Sequence, residues 1–193
     1  MATIGLSNLY YASITEDAAG NETYGTPAQL AKAITADITI DADEAILYAD
    51  DGADAIIREF QKGTINLETN NLDVTALVAL VGATKDTKGV TMHRGEDTPA
   101  PVAIGFKAKT SKGGYKYYWL YRVVFKVPDS SLKTKGESIE FATPTIEGTF
   151  TRRNKVDTQS KHPYMACIDS DESGADAATI SAWFSAVYEP AYV

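Results

Sequence analysis

Asp169, Asp171, Ser173 and Gly174 in "DSDESGAD" stand at the spacing of the first half of a calcium-binding loop. There, alternate oxygen ligands and a sharp glycine turn wrap the ion. The pattern stops at its twelfth position, where Ile180 stands in place of the bidentate glutamate. The segment therefore reads as a turn into a helix, with Ser173 or Asp176 as N-cap. His93 lies in a polar stretch and His162 precedes Pro163, so neither belongs to a metal-ligand pair. Cys167, the one cysteine, sits in the apolar setting "YMACI" and is expected as a buried, inert thiol. The neighbouring carboxylates Asp50 and Asp51, and the group Asp41, Asp43 and Glu44, could do glycosidase chemistry only if two of them faced each other across a cleft. On a turn they are solvated charges. No catalytic, metal or cofactor site is expected, and the chain is not expected to be an enzyme.

"KYYWLYRVVF", Lys116 to Phe125, offers different chemistry: five aromatic rings and two positive charges in ten residues. That mixture could stack on nucleotide bases. In a strand, however, alternation places Tyr117, Trp119, Tyr121, Val123 and Phe125 on one face, and Lys116, Tyr118, Leu120, Arg122, Val124 and Lys126 on the other. A single-strand platform needs aromatics and bases in one groove. The expectation is a central strand, buried on at least one face.

The elements that hold these residues follow from pattern. At 193 residues the chain is long enough for one sizeable domain that buries roughly 70% of its unfolded surface. No apolar run is long enough for a membrane helix, and the first basic residue is Lys32, so neither a secretory signal nor a span is expected. The net charge of −8 disfavours general affinity for nucleic acid. It is unevenly spread: residues 1–80 hold 13 acids and 3 bases, and residues 81–193 hold 13 acids and 15 bases. Two solvated surfaces, or a heterologous contact between an acidic patch on one copy and a more basic patch on the next, both account for that.

"AKAITADITI" alternates as a half-buried strand, with Ile34, Ala36, Ile38 and Ile40 on one face. "DADE" reads as an acidic turn before a second strand, "EAILYAD", and residues 53–70 as two extended pieces around a bulge or bend at Gly63. "LDVTALVALVGA" switches to helical period, with Asp73 as N-cap and Gly82 as stop. Residues 84–101 form a long polar loop. Val102 to Val127 is a hairpin turning at "SKGG". "ESIEFATPTIEGTF" changes phase, from Ile139 and Phe141 to Ile146 and Phe150, around Pro144. Ile180, Trp183, Phe184 and Val187 mark a C-terminal helix. The fold class is mainly β, a sandwich or barrel flanked by helix.

In order and spacing, "IGLSNLYYASIT", "APVAIGFKAKTSKGGYKYYWLYRVVFKVP", "TKGESIEFATPTIEGTF" and "ISAWFSAVYEP" together resemble the major tail protein, the tail tube protein, of long non-contractile-tailed bacteriophages of Gram-positive hosts. The resemblance spans nearly the whole chain and is thin at about 15–35 and 84–98. It implies a single tail-tube domain over 1–193: a β-sandwich or barrel with a flanking α-helix and a C-terminal helix, an N-terminal arm (about 1–30) and a long loop (about 84–101). It implies a structural virion protein, assembled in the host cytoplasm. Six copies would form a ring, and rings would stack into the tube through which DNA passes without specific binding. The implied partners are copies of itself, the tape-measure protein, and the tail terminator and distal tail proteins. On that resemblance the acidic run Asp41, Asp43, Glu44, Asp50, Asp51 and Asp54 is expected on a hairpin facing the next ring or the lumen. Lys116 and Arg122 are expected on a face open to subunit contacts or lumen lining. The arm and the long loop are expected to become ordered on assembly. The alternative from the residues is a carbohydrate-binding or adhesion β-sandwich, which requires Trp119 and Trp183 as exposed sugar platforms.

Overall fold

The computed structural model describes residues 3–18, 20–49, 52–128, 143–190 and 192, with side chains described outside 45–57. Its strands are β1 (Thr3–Glu16), β2 (Glu22–Tyr24), β3 (Ala28–Ala31), β4 (Ala33–Ala49), β5 (Gly52–Thr69), β6 (Thr84–Lys85), β7 (Thr91–Met92), β8 (Val102–Thr110), β9 (Tyr115–Phe125), β10 (Thr145–Thr151) and β11 (Met165–Asp169); the helices are α1 (Val74–Val81) and α2 (Ala177–Ala182). The fold is mainly β and antiparallel, with two short helices. No helix among the described residues is long and apolar enough to cross a membrane.

The β8–β9 hairpin is the centre. Val102, Ala103, Ile104, Gly105 and Phe106 are successive buried residues, as a strand covered on both faces requires. The main sheet runs β2-β1-β8-β9-β10-β5-β4, with β3 beside β1 and β11 beside the first half of β9. The segment expected as an N-terminal arm thus contributes β1, which pairs with β8 from Thr3 to Ser13. The 84–101 loop contains the small β6–β7 hairpin.

The aromatic strand does not keep one phase. Val102 faces Val123 and Ile104 faces Leu120, so β9 carries one extra residue between them, a bulge at Tyr121–Arg122. Before it, Trp119 and Tyr121 join a cluster with Ala103, Trp183 and Val187. After it, Val123 and Phe125 turn to the opposite face and share the larger cluster with Leu120, Ile104, Phe106, Ile65, Leu67, Ile146 and Phe150. The expected single row from Tyr117 to Phe125 is corrected accordingly.

α1 matches its sequence signals. The Asp73 carboxylate accepts from Thr75 N, and Gly82 closes the helix at φ 73°, its N–H bonded to Val78 O. Ala76, Leu80 and Val81 enter the larger cluster. A β-carbon at Gly82 would collide with the Thr98 carbonyl as well as strain the backbone. Gly82→Ala is therefore expected to lower stability by about 2 kcal/mol, and Asp73→Ala by about 1 kcal/mol, in urea melts; equal losses would contradict this assignment of roles.

Two further expectations change. β4 runs unbroken through "DADE", because Asp41 and Glu44 pair in register with Lys62 and Arg58 of β5 instead of turning. The bulge expected at Gly63 falls at Gln61: Asp41 faces Lys62 and Ala42 faces Phe60. Gly63 is needed for room, since a β-carbon there would overlap the Phe150 ring. α2 ends at Ala182, earlier than the stripe to Val187 implied, and a turn carries Trp183 and Val187 into the second cluster. Ile139 and Phe141 lie outside the described residues.

Candidate assembly surface: the β4 edge and the β4–β5 ribbon

β5 has two strand neighbours only from Gly63 to Glu68, where β10 pairs with it. From Gly52 to Lys62 its strand partner among the described residues is β4 alone. About ten residues per strand at about 3.3 Å each make a two-stranded ribbon about 30 Å long. The Gln61 bulge at its root adds twist. Where the ribbon leaves the sheet it is anchored by Phe60, stacked on Tyr164 at 4.0 Å between centroids.

β4 is the last strand of the order. Along its 17 residues one edge pairs with β5, and the other has no strand partner among the described residues. The sheet curls so that β4 and β1 face each other across an apolar cleft of ≈ 480 Å³, walled by Leu6 on one side and Ile34 and Ile38 on the other. Phe106 and Tyr118, stacked at 5.1 Å, form part of its floor. The architecture is an incompletely closed barrel. Ile34 and Ile40 on β4 are 45% and 46% exposed.

The expected acidic residues sort clearly. Asp41, Asp43 and Glu44 are exposed on β4; Glu44 pairs with Arg58 at 2.6 Å, and Asp43 accepts a hydrogen bond from Gln61. Asp54 lies on β5, with only its backbone described. Asp50 and Asp51 lie outside the described residues.

Lys116 is half-buried on β9, opposite Asp169 of β11. Arg122, at the bulge, is engaged within the chain, bonded to both Glu16 and Glu22. The Glu22 side chain is fully buried and also accepts from Asn154 N at 3.0 Å. Burial opposes the Arg122 charge, but the hydrogen bonds to Glu16 and Glu22 outweigh it and its pKa moves up.

A second buried cation lies close by. Arg153 is 1% exposed, sits over the Tyr121 ring at 4.7 Å and pairs with Glu189 at 2.8 Å. Tyr121 donates to Tyr188 O, whereas the buried Tyr24 hydroxyl, beside the Arg153 guanidinium, makes no well-formed hydrogen bond among the described residues. Sequence reasoning missed this cluster, because its members come from distant stretches with no shared motif.

Burial is the first cause that raises the pKa of Tyr24 and Tyr121 above the ordinary tyrosine value, and Tyr117 and Tyr118 move the same way. A raised folded pKa contributes stability that is full below the unfolded value, near 10, and is lost as pH rises through the folded value. Stability is therefore expected to fall above about pH 10, at up to about 1.4 kcal/mol per pH unit for each buried tyrosine. Tyr24→Phe should leave stability at pH 7 unchanged or slightly higher and make the alkaline loss shallower. An unchanged slope would contradict the assignment.

The other candidates separate. His93 is exposed; His162 Nδ1 lies 2.9 Å from Arg153 O. Asp171 accepts from the Thr110 hydroxyl at 2.5 Å and ties its turn to the β8–β9 hairpin. Asp176 is the N-cap of α2, and its hydrogen bonds from Thr179 and Ala178 hold its carboxyl below the usual range. Cys167, expected to be buried, is exposed, because β11 is an edge strand. Trp119 and Trp183 are 0% and 3% exposed, so neither is a sugar platform.

No family model matches the chain. No curated protein matches it either. Among solved structures it is similar to the anti-feeding prophage cap, described as a tube terminating cap, at 12% identity and a TM-score of 0.44, over 88% of this chain and 93% of that one. A score of that size leaves the fold description to the strand pairing above.

Proposed function

We propose that this chain is a structural subunit of a phage-type tail, whose copies assemble through the β4 edge and the β4–β5 ribbon into stacked rings that form the tail tube. The observation that carries the reading is the edge of the 17-residue β4, which has no strand partner among the described residues and whose second half belongs to a two-stranded ribbon. A two-stranded hairpin is marginal in water, and a long open edge is a template for pairing with another chain. Ring closure removes both liabilities. The sequence resemblance supplies the finer features: six copies per ring, a virion location after assembly in the host cytoplasm, and tape-measure, terminator and distal tail proteins as partners.

Exposed Asp41, Asp43 and Glu44 suit a conduit, because carboxylates facing DNA bring no counterion release and so no binding. Lys116, half-buried beside Asp169, remains on this reading a subunit-contact or lumen-facing residue. Arg122, already paired with Glu16 and Glu22, contributes to the body of the subunit. The reading assigns no catalytic residue and no cofactor.

Ile40→Lys tests it. Ile40 is 46% exposed, so the change should alter the subunit's own stability by no more than about 0.5 kcal/mol. A lysine on an edge strand blocks pairing between sheets. Sedimentation velocity should show the native chain growing into large species with concentration and Ile40→Lys remaining monomeric. Identical profiles for the two would contradict assembly through this edge.

A further inference from the structure

β11 has one edge without a strand partner among the described residues, and that edge borders a groove. The groove, ≈ 410 Å³, is lined by Ala166, Cys167 and Ile168, by the turn from Glu172 to Asp176, and by α2 and the segment after it. Successive side chains of a strand point to opposite faces, so three consecutive residues line one groove only along the strand's edge. β9 occupies one edge of β11, which leaves the groove on the other.

The hydrogen-bond pattern fixes which backbone groups face it. Tyr121 N donates to Tyr164 O at 3.1 Å, and Ser170 N donates to Tyr115 O at 2.9 Å. In an antiparallel ladder the bonded pairs alternate, so Ala166 and Ile168 are bonded to β9 as well. Met165 and Cys167 then direct both N–H and C=O outward. Asp169 directs its N–H outward, its carbonyl being taken by Glu172 N. Among the described residues no backbone group pairs with these outward donors.

The opposite wall of the groove rests on the Trp183–Tyr188 stack at 5.2 Å, in which Trp183 is buried and Tyr188 half-buried. Its charged lining is Glu172 and Asp176, with no base. The Asp176 carboxylate is committed to the helix cap, whereas Glu172 has no ion pair among the described residues.

We infer that this groove is a docking site for an extended, lysine- or arginine-bearing segment of a partner protein. The segment adds as a strand to β11 and places its bases beside Glu172. Main-chain hydrogen bonds to Met165, Cys167 and Asp169 supply the attachment, and the acidic wall supplies selectivity for a basic segment. This edge is separate from the one used in self-assembly: β11 borders the first half of β9, whereas β4 lies three strands along the order from β9.

The test is amide exchange by NMR on the full chain at low concentration, with two capped octapeptides as probes, (Val-Lys)4 and (Val-Glu)4. In the free protein the amides of Met165, Cys167 and Asp169 should exchange fast and those of Ala166 and Ile168 slowly. Saturating (Val-Lys)4 should slow the first set about tenfold and slow alkylation of Cys167 by iodoacetamide. Glu172→Lys should weaken that response several-fold, and (Val-Glu)4 should give none. Equal protection of both sets in the free protein would show the edge already covered and overturn the inference. So would no response to (Val-Lys)4, or an equal response to both peptides. Protection that grows with protein concentration alone would assign the groove to a second copy and overturn the partner reading.

Discussion

Trp119→Ala is expected to lower the unfolding free energy by about 4 kcal/mol, out of a total of about 5–15 kcal/mol for a domain of ordinary stability. The indole is fully buried at the middle of the central strand. It fills the space over Gly105, where a β-carbon would come within 2.7 Å of the ring. Alanine opens a cavity between β8, β9 and the C-terminal segment that the rigid sheet cannot collapse. A second loss adds to the first. Trp119 Nε1 donates to Trp183 O at 3.0 Å, so alanine also leaves a buried carbonyl unpaired and frees the C-terminal segment. Trp119→Phe keeps most of the ring and loses that bond, and should cost about half as much. Urea melts followed by circular dichroism measure both; a loss below about 1 kcal/mol for the alanine variant would remove Trp119 from the centre of the core.

Arg122→Met should cost about 3–4 kcal/mol, nearly as much, for an electrostatic reason. The Glu22 side chain is fully buried, and Arg122 is the cation that touches it. Methionine fills the volume of the arginine stem and leaves the carboxylate with the backbone donors Asn154 N and Lys155 N and, among the described residues, no contacting cation. An uncompensated buried charge is the costly product of breaking such a pair. Neutralising the partner should therefore rescue the variant: Arg122→Met with Glu22→Gln keeps an acceptor for those amides and should be more stable than Arg122→Met alone. The double-mutant cycle isolates the coupling. If Arg122→Met melts within about 0.5 kcal/mol of the native chain, the cluster is an ordinary surface ion pair.

Legibility in the sequence followed locality. α1 was readable to the residue, because Asp73 and Gly82 act through backbone groups a few positions away. The β8–β9 hairpin was readable for the same reason: "SKGG" turns between two apolar runs. The bulge at Tyr121–Arg122 was not, since Leu120 and Tyr121 before it and Val123 and Val124 after it put apolar residues on both faces, and a one-residue slip between them leaves no trace in the pattern. "DADE" misled because clustered acids resemble a turn when the bases opposite them, Arg58 and Lys62, come from another strand. Cys167 misled because apolar neighbours report a strand's composition and not whether the strand is at an edge. As for the candidate surface, the sequence showed the charge of the ribbon. Its open edge depends on which strand ends the sheet, a property of topology that no short window contains.

On the proposed reading, copies of this chain assemble through the β4 edge, which has no strand partner among the described residues. Negative-stain electron microscopy of the purified protein at high concentration, beside Ile40→Lys at the same concentration, tests it most directly. The account predicts rings or long hollow tubes from the native chain and only small compact particles from the variant. Compact particles from the native chain at every concentration would contradict it.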